Sequence, residues 1–163
     1  MRTLVLMRHA KSDYPEGVGD HERPLAERGI REAALAGDWL RANAPQIDAV
    51  LCSSAVRTRQ TLQTTAVPAP ASFLDRLYGA SPGEVIDEIN SVADDVATLL
   101  VVGHEPTTSA VTLGLAGPGS DRASAEAVAR KFPTSGIAVL RVPGTWSELT
   151  LRGAELTRFH IPR

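Results

Sequence analysis

Two arginines and two histidines follow apolar runs in this chain, and their placement points to chemistry. Arg8-His9 closes the run Thr3-Leu4-Val5-Leu6-Met7, Arg57 lies five positions beyond the end of Ile47–Cys52, and His104 follows Thr98–Val102 after one glycine. Apolar runs of this length ended by polar residues read as buried strands of a parallel sheet. In such sheets ligands bind just beyond the carboxyl ends of the strands. Three such ends on one rim would surround an anionic group with fixed cations and imidazoles. Each residue alone has an ordinary reading as well. Arg8-His9 also reads as a strand that merely ends in polar residues, Arg57 as a solvated helix arginine, and His104 as a capping or core histidine. The argument rests on their convergence.

The elements that would carry them alternate between strand and helix. After the first strand, residues 12–23 form a polar loop with Pro15, Gly17 and Gly19. Pro24 precedes a helical pattern that runs to about Asn43, with Ile30, Ala33, Ala34, Gly37 and Leu40 along one face, and Ala44-Pro45 stops it. The second strand ends at Cys52, and Ser54 is the expected N-cap of a helix over 55–65. Phe73-Leu74 is a short strand. Ser81-Pro82-Gly83-Glu84 has capping-box spacing with Pro at the first helical position, and opens a helix to about Val92. The third strong strand enters Gly103-His104-Glu105-Pro106, and helices are expected over 106–115 and 123–131. Residues 136–142, 148–150 and 154–160 read as closing strands. This order gives an α/β three-layer sandwich, with helices on both faces of a mostly parallel central sheet that is mixed at its last edge.

A chain of 163 residues suits one core, so residues 1–163 are read as a single domain. The formal net charge of -2 supplies no global basic field for nucleic acid or an anionic membrane. The single Cys52 allows no intrachain disulfide and no thiolate metal cluster, and within its apolar run it reads as a small buried hydrophobe. The acidic residues lack metal-site spacing and the histidines are not paired as ligands, so neither metal nor cofactor is expected. With no signal-peptide h-region and no run long enough to span a bilayer, the expected location is the cytoplasm.

Arg8-His9-Ala10 resembles the signature of the histidine phosphatase superfamily. Ser53-Ser54-Ala55-Val56-Arg57-Thr58-Arg59-Gln60-Thr61 is similar to its second motif, with an arginine and a Gln-Thr pair, and Val102-Gly103-His104-Glu105-Pro106 to its third. With Asp20, Arg23, Pro24, Leu25 and the segment Leu77-Tyr78-Gly79-Ala80-Ser81, the chain most resembles the short SixA-like phosphohistidine phosphatases. The resemblance implies a phosphoglycerate mutase-like fold and a metal-independent phosphatase. His9 would be the nucleophile that becomes phosphorylated, and Arg8, Arg57 and His104 would surround the transferring oxygens. The expected partner is a phosphorylated protein or a small phosphate substrate, phosphohistidine in a protein first. A sugar or nucleotide phosphomonoesterase and a non-catalytic phosphoprotein-binding module are the alternatives.

Ser12 and Arg23 are weaker candidates for phosphate contact, against a turn role for Ser12 and an ion pair with Asp20 for Arg23. Lys11, Arg59, His21 and His160 read as surface residues, and Tyr78 as wall or core. Larger superfamily members carry a glutamate-containing acid motif where this chain has Leu77–Ser81. The nearest carboxylate, Glu84, is explained equally by its capping box.

Overall fold

The computed structural model describes residues 1–163. Six strands form one sheet: β1 (Arg2–Arg8), β2 (Ala49–Ser53), β3 (Ala71–Leu74), β4 (Thr98–Gly103), β5 (Ile137–Val142) and β6 (Glu155–His160). Their spatial order is β3-β2-β4-β1-β5-β6. The first four are mutually parallel, and β5 is antiparallel to both β1 and β6, so the sheet is mixed at the expected edge.

Helices α1 (Glu27–Asn43) and α2 (Val56–Thr65) cover one face, and α3 (Pro82–Asn90), α4 (Thr107–Leu115) and α5 (Arg122–Arg130) the other. The strand alternation divides the core between them. Leu4, Leu6, Leu99 and Val101 face α3–α5, while Val5, Met7, Leu100 and Val102 face α1 and α2. Because β1 and β4 are buried on both sides, they read as unbroken apolar runs. The fold is the three-layer α/β sandwich expected from the alternation of elements.

Helix α1 departs from expectation at its start and on its face. Pro24-Leu25 remain extended, with Leu25 bridged to Ser12, and the helix begins at Glu27. Its buried face is Gly29, Ala33, Ala36, Gly37 and Leu40, whereas Ile30 is 51% exposed and Ala34 is also exposed. The glycines set this rotation through close approach. A Cβ on Gly29 would lie 2.1 Å from the Lys11 carbonyl oxygen, and one on Gly37 would lie 2.2 Å from that of Thr65. Apolarity alone ranks Ile30 above Gly29, but the glycines allow backbone to approach where isoleucine would clash.

Residues 148–150 are not a strand. A turn over 146–148 instead buries Trp146 completely, its indole N–H donating to the Val96 carbonyl at 2.8 Å. The Asn90 amide donates to the carbonyls of Trp146 and Leu149, at 2.7 and 3.0 Å, which fastens this loop to the end of α3.

Candidate active site

Strand β1 delivers Arg8 and then His9 to the carboxyl rim of the sheet. The His9 N–H donates to the Gly103 carbonyl at 3.0 Å, and the Ser135 N–H donates to the His9 carbonyl at 3.1 Å, so the backbone is held from both sides. His9 is 7% exposed, and its Nδ1 lies 2.7 Å from the Ala10 carbonyl oxygen. A carbonyl can only accept, so Nδ1 carries the proton and Nε2 carries the lone pair. Burial pushes the pKa of His9 down to about 3; the Ala10 bond opposes this, while His104, Arg57 and Arg8 add to it. The imidazole is therefore neutral at ordinary pH.

His104 stands beside it, with ring centroids 5.3 Å apart. Its Nε2 lies 2.8 Å from the hydroxyl of fully buried Ser53. Burial first, and Arg57 second, lower its pKa to about 4. Strand register explains the contact across 51 residues. Cys52 on β2 pairs with Val102 on β4, so the residues just beyond meet over the rim.

Arg57, in the first turn of α2, is 6% exposed. Its Nη1 donates to the Asp20 carbonyl at 2.7 Å and its Nη2 to the Asp20 carboxylate at 3.2 Å. That carboxylate also accepts from the Tyr78 hydroxyl at 2.5 Å and from Arg23 Nε at 3.1 Å. The Tyr78 bond, assisted by the two arginines, holds Asp20 well below the usual carboxylate range. Arg23 Nη1 donates to Ser12 Oγ at 2.8 Å and to the Asp13 carbonyl at 3.2 Å, joining the weaker candidates to the same network. The Gln60-Thr61 pair secures α2 to the loop after His9. The Leu25 N–H donates to Gln60 Oε1 at 2.8 Å, and the Ala10 N–H to Thr61 Oγ1 at 2.9 Å.

His9, His104 and Arg57 thus gather at one rim. Arg8 flanks His9, and its Nη1 donates to the Phe132 carbonyl at 2.9 Å. Arg8 Nε, Arg57 Nε and His104 Nδ1 are buried and bond nothing within the chain. Buried polar nitrogens are almost always satisfied. The positive charges of Arg57 and Arg8 are felt at the neutral His9 ring, and that setting suits an oxyanion.

Several expectations are corrected. Ser54 does not cap α2: Ala55 is the N-cap and no side chain caps it, because the Ser54 hydroxyl lies 2.9 Å from His21 Nε2. His21 is accordingly half-buried against the site, edge-on to Tyr78 at 4.8 Å. Arg59 is exposed but bonded, Nε donating to the Ser54 carbonyl at 2.8 Å with the guanidinium over the Phe73 ring. His160 is half-buried and stacks on Trp39 at 4.5 Å. Tyr78, by contrast, walls the site as expected, 5.7 Å from the His104 ring.

Glu84 is exposed and completes its capping box, accepting from the Ser81 N–H at 3.0 Å. Glu105 is likewise committed, to the N–H and hydroxyl of Ser109. Beside His104 lies a cavity of about 260 Å³ with apolar walls that include Leu77, Ala80, Val85, Val101 and Val111. No three His, Cys, Asp or Glu side chains gather as a metal-ligand group. No helix is long and apolar enough to cross a membrane.

Comparison with known proteins places this geometry among phosphatases. The model of the histidine phosphatase superfamily (branch 1) matches residues 4–95. An uncharacterized protein of Mycobacterium tuberculosis is 64% identical over 158 residues, covering 96% of this chain and 100% of that protein. The phosphohistidine phosphatase SixA of Escherichia coli is 30% identical over 109 residues, covering 63% of this chain and 67% of that protein. A solved structure from Nakamurella multipartitia, whose proposed identity is a SixA phosphohistidine phosphatase, superposes with a TM-score of 0.91 at 41% identity, over 99% of this chain and 96% of that one. The protein histidine phosphatase SixA solved with tungstate superposes at 0.79 with 25% identity, over 98% and 97%.

Proposed function

The chain belongs to the histidine phosphatase superfamily, branch 1, and from that premise we propose that it removes phosphate from phosphohistidine in a protein, without a metal, through a phosphorylated His9. The observation that carries this reading is the 2.7 Å bond from His9 Nδ1 to the Ala10 carbonyl, which leaves Nε2 as a neutral nucleophile in a buried site. In the first step Nε2 attacks phosphorus, a new N–P bond forms, and the substrate's N–P bond breaks. The departing ring, protonated on its other nitrogen, leaves as neutral imidazole. In the second step water attacks the phosphorylated His9, releases phosphate and restores the ring.

Phosphoryl transfer is governed by positioning and charge stabilisation. Arg57 supplies that charge at the rim and Arg8 supplies it from the flank, while the His104 ring, kept neutral by burial, can offer a ring N–H. No carboxylate in the site is free to serve as a proton donor: Asp20 is held ionised and Glu105 is tied to Ser109. A leaving imidazole, whose conjugate acid has a pKa near 6.5, needs little help. An alkoxide needs a donated proton, which is worth roughly 10²–10⁴-fold.

A second reading, a small-molecule phosphomonoesterase, is favoured by one feature, the cavity of about 260 Å³ at His104 that would accept a compact leaving group. One experiment tests the reading: release of phosphate from phosphohistidine peptide, sugar phosphate and aryl phosphate at equal concentration, before and after prolonged chelation. The reading expects phosphohistidine to lead and chelation to change nothing. Preference for the sugar phosphate would favour the second reading, restoration by an added divalent ion would end metal independence, and binding without release would make the chain a phosphoprotein-binding module.

A further inference from the structure

Both lysines of this chain, Lys11 and Lys131, lie 120 positions apart in sequence yet line one groove. The groove has a volume of about 510 Å³, and Arg8, Arg28 and Arg163 complete its basic lining. Glu32 is its only carboxylate side chain, and it pairs with Arg28 at 3.6 Å. Neither lysine makes an ion pair or a side-chain hydrogen bond within the chain. In a protein of net charge -2, this concentration of cations, four of the five without a carboxylate partner, is local.

The groove adjoins the catalytic rim on two sides. Arg8 precedes His9 and faces the groove, and Lys11 follows His9 by two residues. On the opposite wall, Thr134 precedes Ser135, whose N–H donates to the His9 carbonyl at 3.1 Å. A substrate phosphate at His9 would thus have its flanking atoms at the groove mouth.

We infer that this groove docks the acidic segment flanking the phosphohistidine of a protein substrate; the inference rests on the reading of His9 as a phosphohistidine phosphatase. The two unpaired lysines are point charges on flexible stems, and with three arginines they line one groove, which suits several successive carboxylates. A single phosphate calls for converging planar forks and backbone N–H groups. Attraction of this kind acts over roughly 10 Å at 0.1 M salt and raises encounter rate and specificity more than turnover.

The test uses a fluorescein-labelled, unphosphorylated ten-residue Asp/Glu peptide and its Asn/Gln counterpart, with binding read by anisotropy. The acidic peptide should bind at low salt and weaken steeply as salt rises, and the neutral one should not bind. Lys11→Glu with Lys131→Glu should weaken the acidic peptide at least roughly tenfold and leave aryl phosphate turnover unchanged, while Lys→Gln at both positions should give an intermediate loss. Equal binding of the neutral peptide, or undiminished binding by the double Glu variant, overturns the inference. So does pyrophosphate that displaces the acidic peptide at far lower concentration than a second acidic peptide, which would make the groove a small-polyanion site. Binding that behaves as expected in an enzyme unable to release phosphate from a phosphohistidine peptide would uphold the groove and defeat the phosphatase reading.

Discussion

Asp20 and Arg57 are joined twice, through the Asp20 carbonyl at 2.7 Å and its carboxylate at 3.2 Å, so the buried arginine of the rim faces the site already paired with an anion. Tyr78 and Arg23 hold that carboxylate in place. A phosphate arriving at Arg57 meets its charge. Replacing Asp20 with Asn removes the repulsion and keeps a side chain of the same shape. Inhibition by inorganic phosphate should tighten by roughly three- to tenfold, about the effect of a partly screened like charge. Weaker inhibition in the variant would mean that Asp20 serves mainly to orient Arg57.

Labelled phosphohistidine substrate, quenched rapidly, should leave an acid-labile and alkali-stable label on the protein. His9→Ala should abolish it. Label retained in His9→Ala and lost in His104→Ala would reverse the two roles.

Arg57→Lys keeps the charge and loses the planar fork. Removing one oriented donor commonly costs roughly 10²–10³ in turnover, and a loss near that range is expected in steady-state kcat. A variant close to wild type would remove Arg57 from the transferring charge.

His9 and His104 both titrate below their ordinary value, at about 3 and about 4, because burial disfavours the imidazolium. The unfolded chain takes up these protons near pH 6.5 while the folded chain refuses them. Their contribution to stability is therefore complete above about pH 6.5 and declines as pH falls towards the folded values. The melting temperature should drop between pH 7 and pH 5, and His9→Asn should show a smaller drop. An equally steep fall in the variant would show that His9 is not the buried neutral group.

Glu84→Gln should leave phosphohistidine turnover within about twofold, since Gln also completes a capping box and the group lies exposed at the start of α3. Measured beside it, alkyl phosphates should be poor substrates and an aryl phosphate with a good leaving group a better one. Selective loss of sugar phosphate hydrolysis in this variant would identify Glu84 as the acid.

Much of this protein is legible along the chain because the informative patterns are local. The unbroken apolar runs of β1 and β4 announce strands buried on both faces, and the residues at their ends are the ones that the rim gathers. The Ser81–Glu84 spacing is a capping box in sequence and in structure, since its bonds span three residues. Helix α1 departs from its apolar pattern where packing against distant backbone matters more than apolarity. Nothing near Gly29 or Gly37 reveals that Lys11 and Thr65 press against them.

The sequence by itself determined which side chains end the strands, and so the chemistry available at the rim. Tertiary structure alone decided their partners. Ser53 meets His104 because β2 lies beside β4, and Asp20 reaches Arg57 and Tyr78 because a loop folds over the sheet's carboxyl edge. Lys11 and Lys131 share a groove for the same reason. Such contacts depend on strand order and loop closure between distant residues, for which no local spacing carries a signal, whereas strand and cap depend on neighbours that the chain itself supplies.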